Sequence, residues 1–134
     1  MSARPPLHVE SAGAGPPLVL LHGWAMHGGL FAPLVPFLAR RRHLHALVAR
    51  FRAGAHALPW RLLPSDTAIQ PLVVGASAAA VALSEALATH GVWVPAIRPP
   101  TVPANTARLR ISLSAAHSEA DVDALLAALH AVAA

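Results

Sequence analysis

The sequence AIRPPTVPANTARLRI, residues 96–111, predicts a rigid loop that leads into a β-strand. Two consecutive prolines fix two φ angles and remove two backbone donors. Asn105 is a residue type that adopts the left-handed conformation needed to close a turn. Beyond the loop, arginine alternates with an apolar residue. Arg108 and Arg110 are therefore predicted on one face of the strand, with Leu109 on the other.

The two arginines and Thr101 are the candidate ligand-binding residues. A planar guanidinium held on a strand binds a carboxylate through two parallel hydrogen bonds. Thr101 places a hydroxyl at the mouth of the proline-rich turn. The predicted partner is a small-molecule carboxylate. The alternative is an edge strand whose basic face is solvated and binds nothing.

The same region carries a resemblance to a known family. Val92–Pro103, Thr106–Arg110 and Ser114–His117 are similar to the C-terminal segment of 8-amino-7-oxononanoate synthase. That enzyme of biotin synthesis uses pyridoxal phosphate (PLP) to condense a pimeloyl thioester with L-alanine. The resemblance extends from about Leu47 to His130.

The resemblance implies roles for individual residues. Thr101 matches a threonine that contacts substrate, and Arg110 matches the arginine that holds the amino-acid carboxylate. Asn105 stands where the family has glycine, and asparagine tolerates the same turn. The family is homodimeric. Its fold implies a small α/β sandwich, like the C-terminal domain of a fold-type I PLP enzyme, for residues 47–134.

The elements expected in this part follow from periodicity and from turn residues. Pro71 argues that its strand starts late or lies at a sheet edge, Ser77 is a plausible N-cap, and Ser118 opens an approximate capping box. The expected order is a helix tail at 47–54, a strand at 69–75, a helix at 77–90, strands at 92–97 and 108–113, and a last helix with an apolar stripe.

The first 46 residues resemble a different family, the start of an α/β-hydrolase of the pimeloyl-acyl-carrier-protein methyl ester esterase type. The likeness covers about residues 7–46: a short strand at 7–10, a buried strand at 17–21, His22-Gly23-Trp24, and a helix around 31–39. It implies that the amide of Trp24 is a remnant of an oxyanion hole. The sequence thus predicts two domains, residues 1–46 and 47–134.

An esterase reading needs a complete catalytic triad. Ser77 lies in a near-match to a nucleophile elbow, and Asp121 or Asp123 with His130 would be its partners. These partners fall on one predicted helix, whereas a triad needs an acid and a base from separate loops. The favoured interpretation is that Ser77 caps a helix and that no catalytic site is complete.

Composition excludes further classes of function. The 134 residues contain no cysteine, which removes disulfides and thiolate metal sites and fits a cytoplasmic protein. The net charge of +4 comes from arginine alone, and only residues 40–42 cluster, at a predicted helix end. His43 and His45, on a predicted strand, lack further metal ligands. We expect the chain to bind no nucleic acid, membrane or metal, and we expect no targeting segment.

Lysine is also absent. PLP chemistry of the synthase type needs an ε-amine to hold the cofactor, so no cofactor is expected for this chain. Three functions remain open: a synthase-derived fragment that is inactive alone, a carboxylesterase, and a non-catalytic module that docks on a full-length synthase.

Overall fold

A computed structural model describes residues 9, 11, 13–14, 17–21 and 28–134. The chain separates into two compact units, Met1–Ala39 and Arg40–Ala134. The elements, in chain order, are a 3-10 helix at Gly28–Leu34, α1 at Val35–Gly54, a 3-10 turn at Ala55–Ala57, β1 at Arg61–Leu62, β2 at Ile69–Gly75, α2 at Ser77–Thr89, β3 at Ala96–Ile97, β4 at Ala107–Ser112 and α3 at Glu119–Ala133.

The second unit is built on a four-stranded antiparallel sheet in the order β1-β2-β4-β3. One face of the sheet is buried, because β4 alternates as expected: Leu109 and Ile111 are buried, whereas Arg110 and Ser112 are exposed. Helices pack on the buried face and complete one core, whose fully buried members include Leu47, Phe51, Leu72, Leu87, Leu109, Val122 and Leu129. The predicted α/β fold class is confirmed.

Helix α1 differs most from the expectation for this region. Residues 40–42 were predicted at a helix end and His43 and His45 on a strand, and both predictions are wrong because α1 continues to Gly54. Leu44, Leu47, Val48 and Phe51 recur at helical spacing and are buried or half-buried. The predicted domain boundary at residue 46 falls inside α1. Within the described residues, no helix is long and apolar enough to cross a membrane.

The apolar run at 17–21 is also not the buried strand that was predicted. These residues belong to no strand, and Leu18, Val19 and Leu21 are 59%, 74% and 85% exposed. A strand needs a neighbouring strand to pair with, and the four-stranded sheet lies entirely within residues 61–112. The strand proposed at 7–10 lies outside the described residues except for Val9.

Pro71 was predicted to make its strand start late or lie at a sheet edge. Both predictions are wrong, because β2 starts at Ile69, includes Pro71 and lies between β1 and β4. The hydrogen bonds between β2 and β4 are made by the residues on either side of Pro71. The missing N–H of Pro71 therefore removes no hydrogen bond between these two strands. Its nitrogen faces the β1 side, where its carbonyl accepts a bond from the Leu63 N–H at 3.0 Å.

The ends of α2 and α3 follow local chemistry. Ser77 is not an N-cap: Gly75, at φ 106°, turns the chain early, so Ala76 takes the cap position and makes no side-chain bond. Gly91, at φ 76°, ends α2 as predicted. The capping box is confirmed, with Ser118 Oγ accepting from the Asp121 N–H and Asp121 Oδ2 accepting from the Ser118 N–H.

Gln70 is the only polar side chain that is fully buried among the described residues. Its Oε1 accepts from Arg52 Nη1 at 2.7 Å, and its Nε2 donates to the carbonyls of Ser65 and Thr67. Gln70→Met keeps the volume but removes these bonds. We expect it to lower the free energy of unfolding by about 1–3 kcal/mol, because the carbonyls of Ser65 and Thr67 lose their donor and Arg52 loses its acceptor. Urea unfolding followed by circular dichroism measures this, and an unchanged midpoint would contradict it.

A forked ion pair joins α1 to α3. Arg50 donates to both carboxylate oxygens of Asp123 at 2.7 Å and to Glu119 at 3.0 Å. The hydrogen bond from Arg50 lowers the pKa of Asp123 below 3.8. A carboxylate with a lowered folded-state pKa stabilises the fold above its unfolded pKa and loses that contribution as the pH falls through the folded pKa.

Asp123→Asn should therefore destabilise the chain at pH 6 and have a progressively smaller effect as the pH is lowered towards 2.5. Thermal unfolding of variant and parent across this range measures the difference. Asp66→Asn is the matched control, because Asp66 is exposed and has no bonding partner among the described residues. A difference that stays constant with pH would argue against the ion pair.

Candidate carboxylate-binding site

The two arginines of β4 share the predicted face but differ in their bonding. Arg108 is half-buried and donates from Nε and Nη2 to the carbonyl and hydroxyl of Thr106, at 3.1 and 3.2 Å. Arg110 is exposed, and its guanidinium has no hydrogen-bond or ion-pair partner among the described residues. Of the two side chains, Arg110 is therefore the one available to an anion.

Arg110 lines a groove of about 480 Å³. The groove lies between residues 91–95 and the end of β4, with α3 contributing Val122 and Leu125. This volume is within the range of small-molecule sites. Arg110 shares this groove with apolar residues, a combination that suits an anion that also carries an apolar part.

The side of the groove opposite β4 was predicted as a strand at 92–97, but only Ala96 and Ile97 pair with β4. Pro95 explains the shortening, because it has no N–H to donate to the neighbouring strand. Its carbonyl still accepts from the Arg110 N–H at 3.0 Å. Trp93, two residues earlier, is 82% exposed and lines the groove.

Thr101 lies elsewhere on the proline-rich loop. The Pro99–Pro100 bond is cis, and the Thr101 N–H donates to the carbonyl of Arg98 at 3.0 Å. Asn105 has φ 58°, which confirms its left-handed turn conformation. Thr101 is not among the described residues that line the groove with Arg110. Its contact with substrate stays a prediction.

His117 and Asp121 also line the groove; the sequence had suggested Asp121 only as a possible acid of an esterase triad, and His117 had not been given a role. His117 Nδ1 accepts from the Ser114 N–H at 3.2 Å, which leaves Nε2 to carry the proton of the neutral ring. The backbone and hydroxyl hydrogen bonds from Ser118 lower the pKa of Asp121, with a smaller contribution from His117. The carboxylate is therefore charged at neutral pH.

The residues considered for an esterase triad are engaged in separate contacts. Asp121 caps α3, Asp123 pairs with Arg50, and His130 Nε2 lies 3.2 Å from the carbonyl oxygen of Gly54. Trp24 lies outside the described residues. Across residues 28–134 and the shorter described stretches, no three His, Asp or Glu side chains gather where a metal ion could be held.

Comparison with known proteins gives a family. The aminotransferase class I and II family matches residues 32–129. The 8-amino-7-oxononanoate synthase of Herminiimonas arsenicoxydans is 61% identical over 93 residues, covering 69% of this chain and 24% of that protein. The enzyme of the same name from Aeromonas hydrophila subsp. hydrophila is 65% identical over 89 residues, covering 66% and 22%.

A solved structure is also similar to this chain in fold and in sequence. Serine palmitoyltransferase of Sphingomonas wittichii has a TM-score of 0.64 and 32% identity, covering 69% of this chain and 24% of that one. The chain spans about a quarter of the length of the relatives it matches. The esterase-like likeness at 7–46 is not shown, and the family match begins within it, at residue 32. Because that match includes the whole sheet and all of α2, the chain belongs to the aminotransferase class I and II family.

Proposed function

We propose that residues 47–134 serve as the C-terminal small domain of a cytoplasmic synthase of the 8-amino-7-oxononanoate type, acting in biotin synthesis, and that Arg110 binds the carboxylate of a substrate. One observation carries the proposal: Arg110 alone of the two strand arginines is unbonded among the described residues, and it lines the groove. The identity of 61–65% to synthases of that name supports the choice of reaction.

The residues present do not fit PLP on their own. The cofactor is held in such enzymes by a lysine ε-amine, and these 134 residues contain no lysine. We therefore assign the chain a part in binding and orienting a substrate, and propose that these residues alone are inactive. The cofactor's binding groups would come from the three quarters of a synthase that the match does not include.

A chimera tests the proposal. The 93 residues of the Herminiimonas arsenicoxydans synthase that match this chain are replaced by their counterparts here. We expect condensation of a pimeloyl thioester with L-alanine at a rate within about tenfold of the parent enzyme. The 134-residue chain with added PLP should give no product. A folded, PLP-loaded chimera without activity would count against the proposal.

A docking module is the second candidate. The open sheet face carries Ile69, 44% exposed, together with half-buried Pro71 and Val73. Apolar side chains on an uncovered sheet face suit a protein partner. Sedimentation of the chain mixed with the full-length synthase would show a complex if this candidate holds. The carboxylesterase alternative gains no support from the described residues, and a Ser77→Ala-sensitive ester hydrolysis would be needed to revive it.

A further inference from the structure

Arg52 lies in the last turn of α1, and its guanidinium is held by two hydrogen bonds. Nη1 donates to the carbonyl of Leu63 at 3.2 Å and to Oε1 of Gln70 at 2.7 Å, so both of its hydrogens are used. Gln70 is fully buried, and its amide is bonded in turn to two backbone carbonyls. The orientation of the guanidinium is therefore fixed before any ligand arrives, which lowers the entropy cost of binding one.

The opposite edge of this guanidinium is open. Within the described residues, Nε and Nη2 of Arg52 have no hydrogen-bond partner. These two atoms carry parallel N–H bonds, an arrangement that binds two oxygens of one oxyanion. Arg50 uses the same pair of atoms to hold both carboxylate oxygens of Asp123. Arg52 therefore offers the donor pair that Arg50 uses, but no oxyanion from the described part of the chain accepts it.

A cavity of about 160 Å³ lies at Arg52, away from the groove that Arg110 lines, and the two share no lining residue. Two basic side chains line this cavity together with an indole and two apolar side chains: Arg52, His56, Trp60, Ala55 and Leu62. None of these described lining residues is acidic. An apolar wall strengthens a charge-assisted hydrogen bond made beside it, so the lining suits a small anion.

The end of a helix normally disfavours an anion, because its last carbonyls point outward. Two carbonyls near this cavity already have donors. The Gly54 carbonyl lies 3.2 Å from His130 Nε2, and the Ala55 carbonyl accepts from the Leu58 N–H at 3.2 Å. Their lone pairs are thus partly neutralised, and the charge of Arg52 dominates the cavity.

We propose that this cavity binds a phosphate group, free or as a monoester. Arg52 donates to it through Nε and Nη2, and His56 donates from its ring. The cavity is smaller than the about 300–1,000 Å³ of sites that enclose a whole small molecule, which limits the ligand to a compact charged group. A phosphate is favoured over a carboxylate because it has a third oxygen for the second side chain. The inference does not rest on the proposed synthase role.

Heteronuclear NMR of the full chain tests the proposal, with inorganic phosphate or glycerol phosphate added at constant ionic strength. We expect saturable shifts of the Trp60 indole N–H and the His56 amide, with a dissociation constant of about 1 mM or below. Acetate should bind about tenfold more weakly or worse. The Trp93 indole reports the other groove, so binding beside Arg110 is seen separately. If neither phosphate ligand shifts Trp60 saturably, or if acetate binds equally well, the proposal is overturned.

His56→Glu places an acid in the cavity and should raise the dissociation constant for phosphate by about tenfold or more. The side chain is exposed, so the fold should be kept. His45→Glu is the matched control, because His45 is also exposed, does not line the cavity and undergoes the same change of charge. It should alter the constant by no more than about twofold. Equal effects of the two substitutions would mean that net charge alone attracts phosphate, against the proposal.

Arg52→Gln removes the donor pair and should abolish the saturable shift of Trp60. Its control is Arg61→Gln, since Arg61 is an exposed arginine of β1 that does not line the cavity. Circular dichroism shows whether each variant is folded. Phosphate binding retained by a folded Arg52→Gln would refute the site. If Arg52→Gln does not fold, the comparison of His56→Glu with His45→Glu decides the question.

Discussion

Phe51→Ala is expected to lower the free energy of unfolding by about 3–5 kcal/mol. Phe51 is 0% exposed and lies in α1, where it joins the core that β2, β4 and α3 share. Truncation loses the transfer free energy of the ring and leaves a cavity that a packed core refills only in part. Since a domain of this size is stable by only about 5–15 kcal/mol, the substitution should remove from about a fifth to all of that stability.

Guanidinium unfolding followed by circular dichroism measures this loss. Phe37→Ala is the control, because Phe37 lies in the same helix and is 68% exposed. It should shift the free energy of unfolding by no more than about 0.5 kcal/mol. Equal effects of the two substitutions would mean that α1 is not anchored in the core through Phe51.

Arg110→Gln in the chimeric synthase should lower kcat/KM by about 100-fold. Removing one member of a charge pair that is bonded in a binding site costs about 2–5 kcal/mol, and each 1.4 kcal/mol is a factor of ten. Arg110→Lys keeps the charge but loses the two-pronged geometry, so it should recover only part of the activity.

Arg108→Gln is the matched control, since its guanidinium already bonds to Thr106 and is not free for a substrate. We expect less than a threefold change in kcat/KM. Comparable losses at the two positions would indicate that the basic face acts through its charge as a whole and not through a bond from Arg110.

The sequence predicted β4, its two faces and the core stripe of α3, because each depends on a short-range period that the residues carry in themselves. Arg108, Leu109 and Arg110 alternate in the chain as they do in the sheet. Local chemistry was equally informative at the capping box of Ser118 and at the left-handed Asn105. In each case the deciding interactions lie within a few residues.

The errors have a different physical origin. The full length of α1 was missed because Leu44 and Phe51 belong to one helical stripe that crosses residue 46. The sequence prediction placed a domain boundary there, between two family resemblances. The run at 17–21 is apolar enough for a strand, but a strand also requires a neighbour. Propensity alone gives no information about that neighbour.

The candidate site was predictable only in part. The sequence indicated Arg110, but the difference between Arg110 and Arg108 arises from the bonds that Thr106 makes. The groove joins residues 91–95 to residues 117–125, which are separated in the chain. Trp93 close to Pro95 was the signal that the sequence offered, because aromatic side chains commonly take part in contact sites, but its exposure is visible only in the structure.

The strand order has a consequence for synthesis on the ribosome. β2 pairs with β4 between Ile69–Ser112 and Gly75–Ala107, so α2 and β3 lie in the loop that this ladder closes. At about 5–20 residues per second, roughly forty residues take about 2–8 s to be added after β2. During that interval the edge of β2 that pairs with β4 has no strand partner, although β1 can already pair with the other edge. The nascent chain is then open to chaperones, and rare codons between β2 and β4 would lengthen the exposure.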